Sequence, residues 1–323
     1  MDKNKPTVSV ITTFWNSYEF IITALTSVAA QKTDGFSIEY VIVDDCGDKD
    51  SSAALVAGFI GQVSLPGNEL YNPGITYKVV RPEHNLGCGG ARKFGIAHAT
   101  GDWFMFLDSD DYYINRDFVS RALNDIRSRH AGIVEYGIIF NNGAGGRVPS
   151  CVQRETEVSK AAAELCLFRD NLIKFNVWSK IYTREVVESF PYSDSRTFED
   201  VRTIPVWVMN APKVVIMPTC EINYRAVDRS IIHEDSVQTR LGTIEAITSL
   251  FPKFASDRSI LKAMYSRAMV DLEVLLAGHS SENRGFNEMN RLNTEMLSYI
   301  FPDRYREFTA SEDDLNKDKT KKD

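Results

Sequence analysis

The sequence predicts an α/β fold with a mostly parallel central sheet flanked by helices, followed by a C-terminal helical extension. Three observations lead to this fold class. Apolar, β-branched segments alternate with segments of about ten residues that have helical periodicity, which is typical of βαβ units. Polar residues directly follow several of the predicted strands, and from about residue 236 the pattern is helical throughout. The 323 residues suffice for one large domain with an appendage.

The N-terminal half carries the clearest elements. The first predicted strand, residues 7–14, reads TVSVITTF, and the second, residues 36–45, reads FSIEYVIVDD and ends in two acids. A helix between them is expected to start at Asn16 or Ser17, whose side chains suit an N-cap. The next predicted elements alternate between helix and strand, at residues 51–60, 75–81, 90–100 and 102–111.

The C-terminal half is less regular. Residues 141–150, NNGAGGRVPS, predict a turn-rich loop, and residues 214–217 predict a short strand. We expect a catalytic domain over residues 1–235, a helical region over 236–310 and a disordered charged tail over 311–323. The helical region has an apolar stripe formed by Leu261, Met264, Tyr265, Ala268, Met269, Leu272 and Leu276. We interpret it as a packing face, since the residues around it lack the basic charge of a membrane-surface helix.

Composition excludes several classes of protein. The 37 basic residues against 44 acidic ones give a net charge of −7, which argues against nucleic acid as a partner. Nothing in the sequence has the length and apolarity of a transmembrane segment. The five cysteines and five histidines show no CxxC or HExxH spacing, so we expect neither a disulfide framework nor a zinc site. We therefore expect the protein to be cytoplasmic, and contact with the inner face of the membrane is compatible with this.

The strongest motif is FLDSDD at residues 106–111, where an apolar strand runs directly into three acids. Burying acids beside a sheet costs free energy unless a cation or hydrogen-bond donors compensate. Asp108 and Asp110 are two residues apart, so they share a face of an extended backbone. Two oxygen ligands on one face suit Mn²⁺ or Mg²⁺, which often also bind substrate phosphates. The alternative is a solvated turn in which an aspartate caps the next helix.

Three further segments have a chemical and a purely structural interpretation. The glycine-rich segment 85–95 lacks a dinucleotide motif because Arg92 stands where a glycine is needed, yet Arg92 can contact a phosphate. Glu199 and Asp200 form an acidic pair, and such a carboxylate can act as a general base or simply lie on the surface. NVWSK, residues 176–180, places a tryptophan, more often a core residue, next to Lys180.

Taken in chain order, these segments resemble the motifs of the inverting family 2 glycosyltransferases with the GT-A fold, over about residues 6–230. The family's first strand and Tyr-Asn turn resemble VSVITTFWN, with Trp15 in place of the usual tyrosine, and Lys93 replaces the usual asparagine after Arg92. The other matching segments are VIVDDCGDKDS, NLGCGGARKFGIAHATGDWFMFLDSDD, NVWSKIYTRE and FEDVR, of which the second is the most specific.

By position, the resemblance implies a UDP-sugar site. Thr13 and Trp15 would flank the uracil, while Asp45 would accept a hydrogen bond from the base with Asp44 in support. The full donor-binding set that we carry over is Thr13, Trp15, Asn16, Asp44, Asp45, Arg92, Asp108, Ser109 and Lys180.

The same resemblance implies the catalytic groups. Arg92 would face the uridine or the diphosphate, and Asp108 would hold ribose or sugar. Asp110, together with Asp108, would ligate Mn²⁺ or Mg²⁺. Asp200 would deprotonate the acceptor hydroxyl, and Glu199 would orient the acceptor or the base.

The implied function is metal-dependent, inverting transfer of a hexose or N-acetylhexosamine from a UDP-sugar to a hydroxyl of a glycan or lipid-linked glycan. Two alternatives stay open at this point. A sugar nucleotidyltransferase is expected to have a glycine-rich phosphate loop directly after the first strand. The segment at that position, TTFWNS, contains no glycine. A catalytically silent nucleotide-sugar or glycan-binding module would be expected to lack the acids at positions 110 and 200. The oligomeric state is not predicted.

Overall fold

The computed structural model describes residues 5–47, 49–141, 146–163, 165–225, 237–278 and 284–300. The chain divides into two compact units. The first comprises residues 1–163 and 172–230, and the second comprises residues 164–171 and 231–323. The predicted tail, residues 311–323, lies outside the described residues.

The first unit contains alternating strands and helices in the order that the sequence predicts for its first half. The strands are β1 (Thr7–Phe14), β2 (Ser37–Asp44), β3 (Ile75–Val80), β4 (Trp103–Phe106), β5 (Tyr112–Tyr113), β6 (Ile133–Asn141), β7 (Arg147–Ser150), β8 (Thr156–Ser159), β9 (Lys180–Thr183) and β10 (Lys213–Arg225). The α-helices are α1 (Ile21–Ala29), α2 (Ser52–Val63), α3 (Gly87–His98), α4 (Phe118–Ser128), α5 (Arg184–Glu188) and α6 (Glu199–Asn210).

The strands of the described residues form one sheet with the spatial order β3-β2-β1-β4-β9-β6-β10-β5. The first four are parallel to one another, as are β6 and β10. Strand β9 lies between these two groups and runs antiparallel to both neighbours. The sheet is therefore mixed, and its parallel character is concentrated in the half that was predicted. The carboxyl ends of β1, β2 and β4 share one edge, where ligands of such sheets bind.

Local sequence explains most of the first half. Strand β1 spans the predicted residues, and almost all of its side chains are buried, as expected for a strand covered on both faces. Helix α1 begins at Ile21, later than the capping signal indicated. Asn16 adopts a left-handed conformation (φ 51°), and the backbone oxygen of Ser17, instead of a side-chain cap, accepts hydrogen bonds from the amides of Phe20 and Ile21.

The second half departs further from the prediction. Part of the predicted loop 141–150 is strand β7, which pairs with β6. The strand predicted at 214–217 is the start of the longer β10, whose register against β6 shifts between Ile216 and Cys220. These strands assemble through contacts between residues far apart in the chain, which local periodicity does not report.

Aromatic packing fixes α6 against the sheet. Trp207 of α6 is fully buried, and its ring centroid lies 5.1 Å from that of Tyr182 on β9 and 6.4 Å from that of Phe106 on β4. The indole N–H donates to the backbone oxygen of Phe190 (2.8 Å). Burying such rings stabilises the fold by about 1.5–3 kcal/mol each. The acids at the start of α6 are thereby held on a rigid support.

The described residues of the C-terminal part of the second unit are mostly helical. It contains α7 (Val237–Thr248), α8 (Arg258–Gly278) and α9 (Arg284–Ile300), which pack on one another. In the predicted apolar stripe Leu261, Met264 and Ala268 are buried, whereas the side chains of Leu272 and Leu276 lie outside the described residues. No helix in the described ranges combines the length and apolarity that crossing a bilayer requires.

Candidate active site

An aspartate cluster directly follows β4. Asp108 begins a turn in which its backbone oxygen accepts a hydrogen bond from the amide of Asp111 (3.2 Å). This turn brings one carboxylate oxygen from each of Asp108, Asp110 and Asp111 to within 4.8 Å of one another. The predicted metal ligands are thus close enough to share an ion, and Asp111 joins them.

The electrostatics of this cluster favour a cation. Burial and the neighbouring Asp108 raise the pKa of Asp110 to about 6, and burial and Asp110 raise the pKa of Asp111 well above its ordinary value. Asp111 Oδ1 accepts a hydrogen bond from the amide of Arg225 (2.8 Å), whereas its buried Oδ2 has no hydrogen-bond partner in the described protein. An all-oxygen donor set with an unsatisfied carboxylate oxygen fits a hard divalent cation such as Mg²⁺ or Mn²⁺.

Arg92 links this cluster to the second acidic pair. Its buried guanidinium donates to Asp108 Oδ1 (2.6 Å) through one nitrogen and forms an ion pair with Glu199 through another. The resemblance implied that Arg92 faces uridine or diphosphate, but in the structure it binds two protein carboxylates. This arrangement supports a positioning role for Arg92.

Glu199 and Asp200 begin helix α6. Phe198, which precedes them, has a left-handed backbone (φ 55°), an uncommon conformation for a bulky residue and one that is often found at functional sites. Burial and the adjacent Glu199 raise the pKa of Asp200 to about 7, while Arg92 opposes this shift. The two acids are therefore not a solvated surface pair, because Glu199 is ion-paired with a buried arginine and the pKa of Asp200 is raised.

The glycine-rich segment makes room for protein backbone. Gly87 has φ 74°, and a Cβ at Gly89 would overlap the backbone oxygens of Ser193 and Ser195. The backbone that approaches these glycines is that of the loop before α6. Lys93, which departs from the family pattern, donates to Asp194 in the same loop (2.8 Å).

Asp45 organises the same region. One carboxylate oxygen accepts from the amide of Leu86 (2.7 Å), and the other accepts from the amide of Gly87 (2.9 Å) and from Asn85 Nδ2 (2.8 Å). Burial raises the pKa of Asp45 in spite of these donors. The buried Asp44 pairs with Arg81 (2.6 Å), which fits its predicted supporting role.

The turn after β1 presents an aromatic face. Trp15 is 51% exposed, so it is not a core residue. Lys49 Nζ lies 5.7 Å from the centre of the ring, and the amide of Lys49 donates to Asn16 Oδ1 (3.1 Å). Thr13 is half-buried at the end of the strand. The hydroxyl of Ser17 lies 2.9 Å from that of Ser109, so this turn contacts the aspartate turn.

Lys180, predicted to bind the donor, is fully buried. Its ammonium donates to the backbone oxygen of Asn176 (2.6 Å) and to Asn176 Oδ1 (2.9 Å), and it lies 3.4 Å from Glu135 Oε2. The described structure therefore gives Lys180 a structural ion pair and does not support a donor contact. Sequence reasoning missed Glu135, although a lone acid in the apolar run GIVEYGII was a signal that a buried partner exists.

The chain matches the model of the family Glycosyl transferase family 2 over residues 9–185. Among curated proteins, it is 36% identical over 106 residues to the succinoglycan biosynthesis protein ExoO of Rhizobium meliloti, covering 33% of this chain and 26% of ExoO. It is 28% identical over 215 residues to the poly(ribitol-phosphate) beta-N-acetylglucosaminyltransferase TarS of Staphylococcus aureus, covering 65% of this chain and 34% of TarS. The chain thus aligns with about a third or less of either relative.

Solved structures show the same fold. TarS residues 1–349 superpose with a TM-score of 0.68 at 20% identity, covering 94% of this chain and 83% of that one. The complex of TarS 1–349 with UDP-GlcNAc gives a TM-score of 0.56 at 19% identity, covering 96% and 77%. A mannosyltransferase from Pyrobaculum calidifontis in complex with GDP-Man and Mn²⁺ gives 0.54 at 16% identity, covering 92% and 86%. At these identities the likeness shows the GT-A fold. Because the family match extends over more than half of its residues, the chain belongs to glycosyl transferase family 2.

Proposed function

We propose that this glycosyltransferase is a metal-dependent inverting enzyme that moves a hexose or N-acetylhexosamine from a UDP-sugar to a hydroxyl of a growing glycan. The acceptor class is a surface polysaccharide, a lipid-linked oligosaccharide or a glycoprotein glycan. One observation carries the proposal. Arg92 bridges Asp108 of the aspartate cluster and Glu199, the neighbour of Asp200, so the residues proposed for the leaving group and for the base lie close together.

The nucleotide side rests on Trp15 and Asp45. The exposed indole face can stack on a pyrimidine, and stacking of this kind contributes about 1–3 kcal/mol per base. Asp45 already accepts three hydrogen bonds, and a carboxylate has about four acceptor sites, which leaves one for a base N–H. Uridine is favoured as the base because the relative TarS was solved with UDP-GlcNAc. The mannosyltransferase was solved with GDP-Man, so guanine is the competing base to be tested.

Asp108 and Asp110 would hold the divalent cation, with Asp111 beside them. A bound Mn²⁺ or Mg²⁺ would neutralise charge on the diphosphate leaving group. The chain itself contributes the ion pair between Arg92 and Asp108, which fixes the orientation of that carboxylate. Because Asp108 keeps its second oxygen outside this ion pair, it can serve Arg92 and a cation together.

Asp200 would accept the proton of the acceptor hydroxyl. A base works best when its pKa lies near the working pH, and a pKa of about 7 meets this condition. Glu199 cannot readily act as the base, because its carboxylate is buried in an ion pair with Arg92. A single base opposite the leaving group gives direct displacement and inversion at the anomeric carbon.

Release of nucleotide tests this function. The purified full chain is incubated with Mn²⁺ and a panel of UDP-hexoses, UDP-N-acetylhexosamines and GDP-mannose, and the freed nucleotide is measured with and without simple glycoside acceptors. We expect UDP release from one UDP-sugar, competition by UDP stronger than by GDP, and a weaker preference in Asp45→Ala and Trp15→Ala. Thermal protection by UDP without release from any donor would identify a binding module, and equal competition by GDP would refute uracil recognition.

A further inference from the structure

Arg225, the last residue of β10, is a cation next to the aspartate cluster. Its backbone amide donates to Asp111 Oδ1 (2.8 Å), which ties the end of the strand to the cluster. Its guanidinium carbon lies 4.9 Å from the centre of the Phe20 ring and 5.9 Å from that of the Tyr112 ring. Within the part of the chain that the structure describes, this guanidinium makes no hydrogen bond and no ion pair.

Other arginines of this unit are used differently. Arg92, Arg121 and Arg129 each donate to carboxylates of the protein. A guanidinium held against aromatic rings keeps its plane oriented, while its N–H groups stay available for a planar anion such as a phosphate. Arg225 is therefore positioned by packing and has donor capacity that the described residues do not use.

The charges around Arg225 indicate which anion fits. Its backbone amide donates to Asp111, yet among the described residues its guanidinium forms no ion pair with a carboxylate of the cluster. The guanidinium of Arg92, which donates to Asp108, is shared with Glu199. A divalent cation on three carboxylates, joined by a diphosphate, leaves an excess of negative charge that a nearby cation would offset.

We propose that Arg225 binds the diphosphate of the nucleotide-sugar donor and stabilises it as the leaving group. This inference rests on the proposed function. During transfer, the bond from the acceptor oxygen to the anomeric carbon forms as the bond from that carbon to the diphosphate oxygen breaks. The acceptor proton passes to Asp200, and the electron pair of the broken bond stays on the diphosphate. Hydrogen-bond donors that are oriented before the reaction contribute most where charge develops.

The test compares UDP with uridine as probes of the full chain. Affinities are measured by calorimetry for UDP and by competition for uridine, with Mn²⁺ present, in the wild type, Arg225→Ala and Arg225→Lys. Every side-chain variant keeps the backbone amide that donates to Asp111. We expect Arg225→Ala to lower UDP affinity by about 10–100-fold, the range for a lost hydrogen bond between charged groups, and to leave uridine affinity unchanged. Lysine should restore part of the loss because it keeps the charge without the planar fork.

Arg127→Ala is the matched control, because Arg127 also lies over an aromatic ring, that of Trp103 at 6.0 Å, on the exposed surface of α4. It should bind UDP like the wild type. Melting curves show whether each variant folds, and Arg225→Lys tests the claim if the alanine variant does not. UDP binding by Arg225→Ala within twofold of the wild type, or an equal loss for uridine, would overturn this inference alone. A wild type that does not bind UDP would overturn the proposed function, and this inference with it.

Discussion

The two acidic groups of the site differ in how their buried negative charge is compensated. The cluster after β4 gathers three carboxylates, and the guanidinium of Arg92 donates to one of them. The pair at the start of α6 has two carboxylates, of which Glu199 is neutralised by that same arginine. The first group keeps an excess of negative charge that suits a cation, and the second keeps one carboxyl group that suits a proton. Residue type alone does not separate these roles; the number of charged partners does.

The largest expected effect comes from Asp200→Asn, which removes the proton acceptor in a nearly isosteric change. Transfer to an acceptor should fall by about 10²-fold or more, while UDP affinity stays unchanged. Hydrolysis of the donor should fall less, because water can enter elsewhere. The rates are initial rates of UDP release with and without a glycoside acceptor, and the control is Asp194→Asn in the exposed pair with Lys93.

Glu199→Gln separates the two members of the pair. It leaves Arg92 without one of its two carboxylate partners, so it should lower the free energy of unfolding more than Asp200→Asn does. Full transfer by Asp200→Asn, together with loss of transfer in a folded Glu199→Gln variant, would make Glu199 the base and reverse the comparison.

The second effect concerns the cluster. Asp110→Asn should lower Mn²⁺ affinity by more than the ~10–100-fold that removing a residue supporting a metal ligand costs. UDP affinity measured calorimetrically should then match that of the wild type in EDTA. Asp111→Asn should weaken UDP binding less, since one oxygen of Asp111 is already engaged by the amide of Arg225. Unchanged UDP affinity of the wild type in EDTA would contradict the cation-binding role.

The smallest effect is a pH dependence that distinguishes the pair from the cluster. Only ionised Asp200 accepts a proton, so kcat/KM should fall about tenfold per unit as the pH drops below about 7. The free energy of unfolding changes with pH in the opposite direction to kcat/KM. The folded protein keeps the Asp200 proton up to about pH 7, whereas the unfolded chain loses it near pH 3.8. The free energy of unfolding therefore falls as the pH rises between these two values. Asp200→Asn should shrink the difference in Tm between pH 5.5 and 8. An identical difference in both proteins would show that Asp200 does not titrate there.

Features contained in contiguous segments could be predicted from the sequence. The aspartate cluster lies within four residues after an apolar strand, and parallel topology places it beside the turn after β1, as the contact of Ser17 with Ser109 shows. The parallel half of the sheet and the helical second unit follow from periodicity in the same way.

Features that join distant segments could not be predicted. Arg92 and Glu199 are 107 positions apart, and no local pattern indicates that helices α3 and α6 meet there. The pairing of Lys180 with Glu135 likewise depends on β9 entering the sheet antiparallel to β6. The resemblance implied a donor-binding role for Lys180 because matching motifs compares positions in the sequence and not the surroundings of a side chain. Burial of the ammonium and its four neighbouring oxygens, from Asn176, Ser179 and Glu135, indicate the structural role instead.

The close contact at Gly89 bears on how acceptor preference can change. The loop before α6 touches α3 through its main chain, at Ser193 and Ser195. The spacing of α3 and this loop is therefore set by backbone atoms, which every amino acid provides. If Asp200 is the base, the side chains of the loop can be exchanged while α6 stays at the same distance from α3. A single added methyl group at position 89 would instead push the loop and α3 apart, whatever side chains the loop carries.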